Sequence, residues 1–436
     1  MRPTPSNPDV AAHGALDQAV LARASTATAM FSDLASNTHD GDGITRASYG
    51  DGEQYAHACM ARYARAIGLE IASDAAGNTY ATLPGSERSL APIIIGSHLD
   101  SVAQGGNFDG AAGVVSGLVA AAALRDAGIQ LRRDVRVMGI RAEESAWFGV
   151  SYIGSRSALG TLPDGALEHA RRSDSGLTLS EHMLQCGADP SAISSTAPYL
   201  PPASLHAYLE VHIEQGPVLE ASAIAVGIVT GIRANRRLPR ARCVGEYSHC
   251  GGVPRSHRRD AAIAVARLVS QLDDWWDACE ERDQDFAFTV GKLGTDPSWH
   301  AMTKIAGEVN FSLDMRSLDA NLLDATEARL HSCVAALSTK YGVSFELGET
   351  TSAAPGVLAQ GIRAGLQESA ASLAIPTIEI ASGASHDAAA FAAAGVPTAM
   401  LFIRNANGSH NPHEAMEITD FIDATRILAL WLVNAE

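Results

Sequence analysis

The sequence is short of positive charge. Its 32 lysines and arginines face 49 aspartates and glutamates, a net charge of −17 at neutral pH. Nucleic acid and anionic membrane surfaces both require basic patches, so neither is expected as a partner. The one dense basic cluster, Arg255–Arg259 with His257 inside it, is too short for a nucleic-acid face. No apolar run approaches the 18 or so residues that a membrane-spanning helix needs. Six cysteines (Cys59, Cys186, Cys243, Cys250, Cys279 and Cys333) are scattered with no C-x-x-C pair. That argues against a disulfide framework or a thiolate zinc site and fits a reducing compartment. The opening "MRPTPSNPDVAAHG" carries prolines and an acid where a signal peptide needs a charged head and an apolar stretch, so a cytoplasmic location is expected. H-E-x-x-H, G-x-x-x-x-G-K-[ST] and G-x-S-x-G are all missing, which removes helical zincins, phosphate loops and the nucleophile elbow. "GASHD" sets Ser385, His386 and Asp387 in a row, but contiguous residues cannot converge as a triad.

What is present is a soluble-protein composition, 46% hydrophobic and 19% charged, in a chain of 436 residues that suggests two domains. "LAPIIIGSHLD" reads as a buried strand, Pro92 to Gly96, that runs into a polar loop. "FDGAAGVVSGLVAAAALRDAGI" reads as a helix, with Asp109 near its start and Gly128 just past its end. "DVRVMGIRAEES" is a second buried strand. The three together predict a βαβ unit and an α/β layer. A Pro- and Ser-rich segment over 161–204 separates this layer from "SLHAYLEVHIEQGPVLE". Ala261, Val265, Leu268, Leu272, Trp275 and Cys279 then predict an amphipathic helix within 258–282. "GEVNFSLDMRS" alternates strictly and predicts a half-exposed antiparallel strand, with another helix over 321–341. Buried α/β patterning returns in "GVPTAMLFIRNANGSHNP". The expectation is an α/β domain, 1–232 and 349–436, interrupted by a small α+β domain over 233–348.

Each polar residue at these strand ends has an ordinary explanation when taken singly. A strand-end histidine can be structural, and Asp109 can be a helix N-cap. The set is what carries meaning: His98 and Asp100 in "GSHLD", Asp109 in "GGNFDG", Glu143 and Glu144 in "RAEESAWFG", His212 in "EVHIEQG" and His410 in "NGSHNPHE". Two adjacent glutamates in a half-buried setting repel unless both face water or a cation lies near. Histidines and carboxylates without thiolates suit zinc, manganese, cobalt or nickel at a hydrolytic site, and two histidines and two carboxylates plus a bridge suffice for a paired centre. Asp100, two residues after His98, is placed to accept its second ring N–H. His257, His300, His386 and His413 are spare imidazoles, with His413 expected at the surface or behind the site.

"GSHLDSVAQGGNFDGAAGV", "EESAWFGVSYIGSRSALG", "LEVHIEQGPVLE" and "NGSHNPHE" resemble the M20 metallopeptidase-like hydrolases. Within them the chain is similar to the branch of N-carbamoyl-L-amino-acid hydrolase, β-ureidopropionase and allantoate amidohydrolase. The resemblance runs from about residue 40 to the C-terminus. It implies a bilobed subunit, a dinuclear-metal α/β domain interrupted by a smaller α+β lid that makes a homodimer. It implies two divalent ions per subunit (zinc, manganese, cobalt or nickel), with His98 and His212 on one, Glu144 and His410 on the other, and Asp109 bridging. Glu143 would be the general base. Asp100 counts with the catalytic set, and His249 in "YSHCGG" is the histidine lent by the partner subunit to a developing oxyanion. Arg316 would grip a substrate carboxylate and Gln215 a ureido group; Thr303, Gly383 and Ala384 complete the substrate-binding set.

The implied substrate is a small ureido or amide acid: an N-carbamoyl amino acid or a relative such as allantoate. An N-acyl amino acid or a dipeptide on the same centre is the alternative, and a silent scaffold of the same fold is a further one. Two departures stand out. Relatives read H-A-G-T-T-P-M where this chain has "HCGGVPR", and Thr303 in "TKIAGEV" takes the place of a usual asparagine. Arg255 and Lys304 are therefore extra cations near segments that line the site in relatives, which points to a more acidic or differently shaped substrate.

Overall fold

The computed structural model describes residues 8–195 and 197–435. It divides into two compact units, one holding the chain up to Thr230 together with Val357–Glu436 and the other Gly231–Gly356. In the first unit four strands run side by side and parallel: Thr398–Ile403, Ala207–Ile213, Ile93–His98 and Val135–Ile140. Every residue of the first three is buried, because helices cover both faces of a parallel sheet and leave the strand no wet side. Antiparallel strands Thr79–Leu83 and Val226–Ile232 flank this core, and the sheet reaches nine strands among the described residues.

The expected strand starts one residue later and ends two residues later than the pattern suggested, and the expected helix forms with Asp109 just before its start. The strand is Ile93–His98 and the helix Ala111–Asp126. Nearly the whole helix is buried, and its small residues allow that: a Cβ on Gly113 would lie 2.2 Å from the Val211 carbonyl oxygen. Bulk there would lift the helix off the sheet. The N-cap is Gly110, with no side-chain cap bond, so Asp109 does not cap the helix. Its carboxylate is free for other work.

The segment 161–204 is more ordered than a separator. It forms short helices Ala166–His169, Leu179–Gln185 and Pro190–Ser195. Thr178 and Glu181 close a capping box on the second of these, and Leu167, Leu179 and Met183 join Trp147, Phe148 and Ile153 in a small satellite core. With at most two or three apolar residues in each of these short helices, no periodicity was there to read. Helices Ala24–Thr38 and Ile418–Asn434, which the pattern had not flagged, pack on the main core through residues such as Phe31, Phe421 and Leu428.

In the second unit, strands Ala287–Thr289, Glu308–Ser317, Ala234–Val244 and Ser344–Glu346 form an antiparallel sheet in that order. Val309, Phe311, Leu313 and Met315 are all buried while their neighbours are not, as strict alternation requires. Helices Ala261–Glu280 and Ala320–Tyr341 cover the buried face, each started by an aspartate N-cap, Asp260 and Asp319. Trp275 and Trp276 pack against this core, and Trp275 Nε1–H donates to Thr326 Oγ1 at 3.0 Å. No helix among the described residues is long and apolar enough to cross a membrane.

Candidate metal centre

The carboxyl ends of the four parallel strands bring the polar residues together. Thr398–Ile403 leads into the loop with His410, Ala207–Ile213 carries His212, Ile93–His98 ends on His98 and leads to Asp109, and Val135–Ile140 leads to Glu143 and Glu144. Neighbouring parallel strands release their loops on one edge, so residues 300 positions apart in sequence meet there.

Two groups of side chains share Asp109. His98, Asp109 and His212 offer ligand atoms within 4.8 Å of one another, and so do Asp109, Glu144 and His410. Asp109 Oδ1 faces the first group, 3.3 Å from His98 Nε2 and 3.1 Å from His212 Nε2. Oδ2 faces the second, 3.4 Å from His410 Nε2, which in turn lies 3.3 Å from Glu144 Oε1. Both oxygens of one carboxylate are thus divided between two groups.

The imidazole tautomers follow from their partners. His98 Nδ1 meets the Asp100 backbone carbonyl at 3.0 Å and His212 Nδ1 meets the Ile213 carbonyl at 2.9 Å. A carbonyl only accepts, so both Nδ1 atoms carry the proton and both Nε2 lone pairs face inward. The two Nε2 atoms are 3.4 Å apart, and Asp109 Oδ1, buried beside them, has no hydrogen-bond partner. Three acceptors converging on one point repel one another unless a cation sits between them. The donor set, three histidines and two carboxylates with no thiolate, therefore fits divalent metal.

The same conclusion follows from the electrostatics. Burial opposes charge on His98 and His212, yet hydrogen bonds to Asp109, and to Asp100 for His98, hold both rings above the usual imidazole range. Asp109 and Glu144 raise His410 to about 10. Burial would raise Asp109, but when the rings of His212, His410 and His98 carry a second proton they hydrogen-bond to it and drive it well below the carboxylate range. In the metal-free chain, protons on the histidines supply the positive charge that the cluster demands. Glu143 moves the other way. Burial pushes its carboxyl well above the ordinary value; His98 opposes this, while Glu144, Asp387 and Asp100 reinforce it.

Asp100 has a second part beside the one its spacing suggested. Its side chain lies 3.4 Å from His98 Nδ1, and the closer partner of that ring is the Asp100 backbone carbonyl. The carboxylate also accepts the backbone N–H groups of Glu143 at 3.0 Å and Glu144 at 3.1 Å, and the Ser48 hydroxyl at 2.6 Å. It fixes the glutamate pair by its main chain. Gln215, in a left-handed conformation at φ 64°, donates to Asp109 Oδ2 at 2.9 Å while its Oε1 is buried without a partner. Gly383 and Ala384 lie in the loop before His386, where Ala384 accepts from the Ser382 hydroxyl at 2.8 Å.

The remaining candidates belong to the second unit. His249 is exposed, and its Nδ1 accepts N–H from Gly251 at 3.1 Å and Gly252 at 2.9 Å, so its proton is on Nε2. Thr303 is exposed, and its carbonyl accepts from Cys250. Arg316 is held by Asp314, with Nη2 to Oδ2 at 2.7 Å, and Lys304 Nζ donates to the Trp299 carbonyl.

Several supporting groups escaped the sequence reading. Glu414 accepts the N–H of Phe108 at 2.8 Å and of Asp109 at 3.2 Å on Oε1, and lies 2.6 Å from the Ser409 hydroxyl on Oε2. It sits in the quoted "NGSHNPHE", where only the histidines drew notice. Arg46 is fully buried and ties the Leu99, Asn107 and Asp109 carbonyls together; nothing around it in sequence marks it. His386, counted as spare, is buried with its ring 4.5 Å from that of His212, and with Glu210 and His212 it forms a further ligand-capable group. His413 is exposed.

The model of peptidase family M20/M25/M40 matches residues 94–434, a span that holds every residue of both groups. The chain belongs to that family. An N-carbamoyl-L-amino acid amidohydrolase of Geobacillus stearothermophilus is 33% identical over 85% of this chain and 88% of its own length. The allantoate amidohydrolase of Escherichia coli (strain K12) is 31% identical over 84% of this chain and 87% of its own. Among solved structures, an amidase of the hydantoinase/carbamoylase family from Burkholderia multivorans superposes with a TM-score of 0.86 at 27% identity, covering 94% of this chain and 97% of that one. For an M20 chain the mixed α/β fold is thus shared over nearly the full length.

Proposed function

We propose that the protein is a metal-dependent amidohydrolase that cleaves the carbamoyl C–N bond of an N-carbamoyl amino acid or a related ureido acid such as allantoate. The observation that carries this is the division of Asp109 between two histidine-containing groups, with Oδ1 buried and unpartnered where the Nε2 atoms of His98 and His212 converge. The named activities of the similar proteins support the substrate class. In this reading His98 and His212 hold one divalent ion, Glu144 and His410 a second, and Asp109 joins them.

Bound there, the ions supply Lewis acidity and bring the pKa of water from about 15.7 towards ~7. Glu143 takes the proton of the attacking water and returns it to the leaving nitrogen, a task suited to a buried carboxyl whose affinity for protons is raised. Asp100 keeps Glu143 in place by its backbone N–H. Gln215 binds the ureido group, with its unpartnered Oε1 as the acceptor; Gly383 and Ala384 line the same pocket. Arg316 takes the substrate carboxylate in competition with Asp314. Thr303 completes the substrate contacts, and His249, from the partner subunit of a homodimer built by the second unit, donates Nε2–H to the developing oxyanion.

A release assay decides it. Ammonia is to be measured from N-carbamoyl-aspartate, N-carbamoyl-β-alanine and allantoate with manganese, zinc, cobalt or nickel added back. Glu143→Gln should keep its metal and lose turnover by ~100-fold or more, and Glu144→Gln should lose metal. A Glu143→Gln enzyme with normal metal and near-normal turnover would reject the assignment; no ammonia from these substrates, with acetate released from N-acetyl amino acids run alongside, would redirect it to N-acyl amino acids.

A further inference from the structure

The basic stretch Arg255–Arg259 is left unexplained by the metal centre, all of whose proposed ligands belong to the first unit. In the second unit two of its residues, Arg255 and Arg258, line a cavity of about 840 Å³ together with Arg267, Ile263 and Tyr341. Small-molecule sites run to roughly 300–1,000 Å³.

The cavity is rich in arginine for a chain with 49 acids against 32 bases. Several arginines elsewhere pair with carboxylates, Arg88 with Glu70, Arg132 with Glu87 and Arg242 with Glu346, while exposed Arg65 and Arg240 do not. The guanidinium groups of Arg255 and Arg267, both lining the cavity, make no hydrogen bond or ion pair among the described residues. The one carboxylate in the lining, Asp260, caps the helix by accepting the Ile263 N–H at 3.2 Å.

The wall is also held in shape. Arg258, the third guanidinium of the lining, donates to the carbonyls of Val253, at 2.9 Å, and Cys250, and so pins the loop Gly251–Pro254. Its hydrogen bonds go to the protein, whereas those of Arg255 and Arg267 are unspent. A guanidinium offers a fork of N–H donors that matches a carboxylate or phosphate. Two such forks beside the Tyr341 phenol and the apolar Ile263 describe a receptor for a compact organic anion with two or more negative groups.

We propose that this cavity is a second ligand site, taking a small di- or tricarboxylate or a like-charged oxyanion through Arg255 and Arg267. The inference does not rest on the proposed activity. Calorimetric titration of the metal-loaded full chain with tricarballylate and with sulfate, at matched ionic strength and with acetate as the monovalent control, tests it. The two arms separate carboxylate from inorganic oxyanion chemistry. One tricarballylate per chain is expected, with acetate not binding. Arg255→Ala and Arg267→Ala should each weaken it about tenfold or more, and the double variant should abolish it. Arg255→Lys should restore only part of the affinity, because an ammonium cannot form the two parallel bonds. Both residues are surface-exposed, and Arg267→Gln gives a second probe should the alanine melt early. Absence of binding below about 10 mM, or binding unchanged in the double variant, overturns the proposal. So does a double variant that changes oligomeric state while neither anion binds, since the cavity would then be an interface between chains.

Discussion

Asp100→Asn is the most informative single change at the centre. The native carboxylate is fully buried and accepts three donors, the Glu143 and Glu144 N–H groups on separate oxygens and the Ser48 hydroxyl. An asparagine keeps the shape and turns one oxygen into an NH2 group, which then meets a backbone N–H head-on. One charge-assisted hydrogen bond is lost, worth about 1.5–3 kcal/mol, and one buried N–H is stranded at a cost of about 1–3 kcal/mol. Because the two overlap, the sum is roughly 2–4 kcal/mol, against a total stability on the order of 5–15 kcal/mol. At about 2 °C per kcal/mol for a chain of this size, melting should fall by roughly 4–8 °C. The metal should respond unevenly. His98 is oriented by the backbone carbonyl of residue 100, which survives the change, so the His98–His212 group should still load. The Glu144–His410 group should load poorly and turnover should drop, as both glutamates lose their main-chain anchor. Thermal melts with metal content by mass spectrometry read both effects. An Asp100→Asn chain with full metal, wild-type turnover and melting within about 1 °C of wild type would show that the carboxylate does not position the pair.

Three other outcomes follow from the same geometry. Gly110 stands at φ 66° and ψ −50°, and a Cβ there would lie 2.5 Å from His98 Nδ1; Gly110→Ala should cost about 2–5 kcal/mol and expel metal at His98, and full metal content would contradict it. Glu414→Gln keeps an oxygen for the Phe108 and Asp109 N–H groups but removes the negative charge they share and turns the Ser409 hydroxyl wholly to Asp109; it should weaken metal binding about 10–100-fold in chelator competition, with wild-type affinity the contrary result. His410 has its folded pKa raised from 6.5 to about 10 by Asp109 and Glu144, so in the metal-stripped protein its contribution to stability is full below pH 6.5 and is lost as pH rises through about 10. Metal-stripped melts should therefore fall over that window, while metal-loaded protein, with His410 held neutral, should not show the fall.

Much of the second unit could be read from pattern alone, because a strand with one wet face and a helix with one buried stripe write their burial into the sequence. Glu308–Ser317 and Ala261–Glu280 are cases. The parallel strands were legible for a related reason: isoleucine and valine in short runs between turn signals, as in Ile93–Ile95, have little else to be. The short helices of 161–204 were not, since their few apolar residues gain meaning only against Trp147 and Phe148. At the site, side-chain type announced the histidines and acids. It did not announce Arg46 or Glu414, whose work is done on backbone groups of distant loops.

What the sequence determined by itself was the chemistry on offer: imidazoles and carboxylates, no thiolate nearby, each just past a buried strand. Which of those atoms face each other was decided by the order of the parallel strands, which sets His410, His212, His98 and Glu144 side by side on one edge. The division of Asp109 between two groups, and that of Asp100 between imidazole and main chain, are matters of a few ångströms. Periodicity carries no information at that scale; packing does.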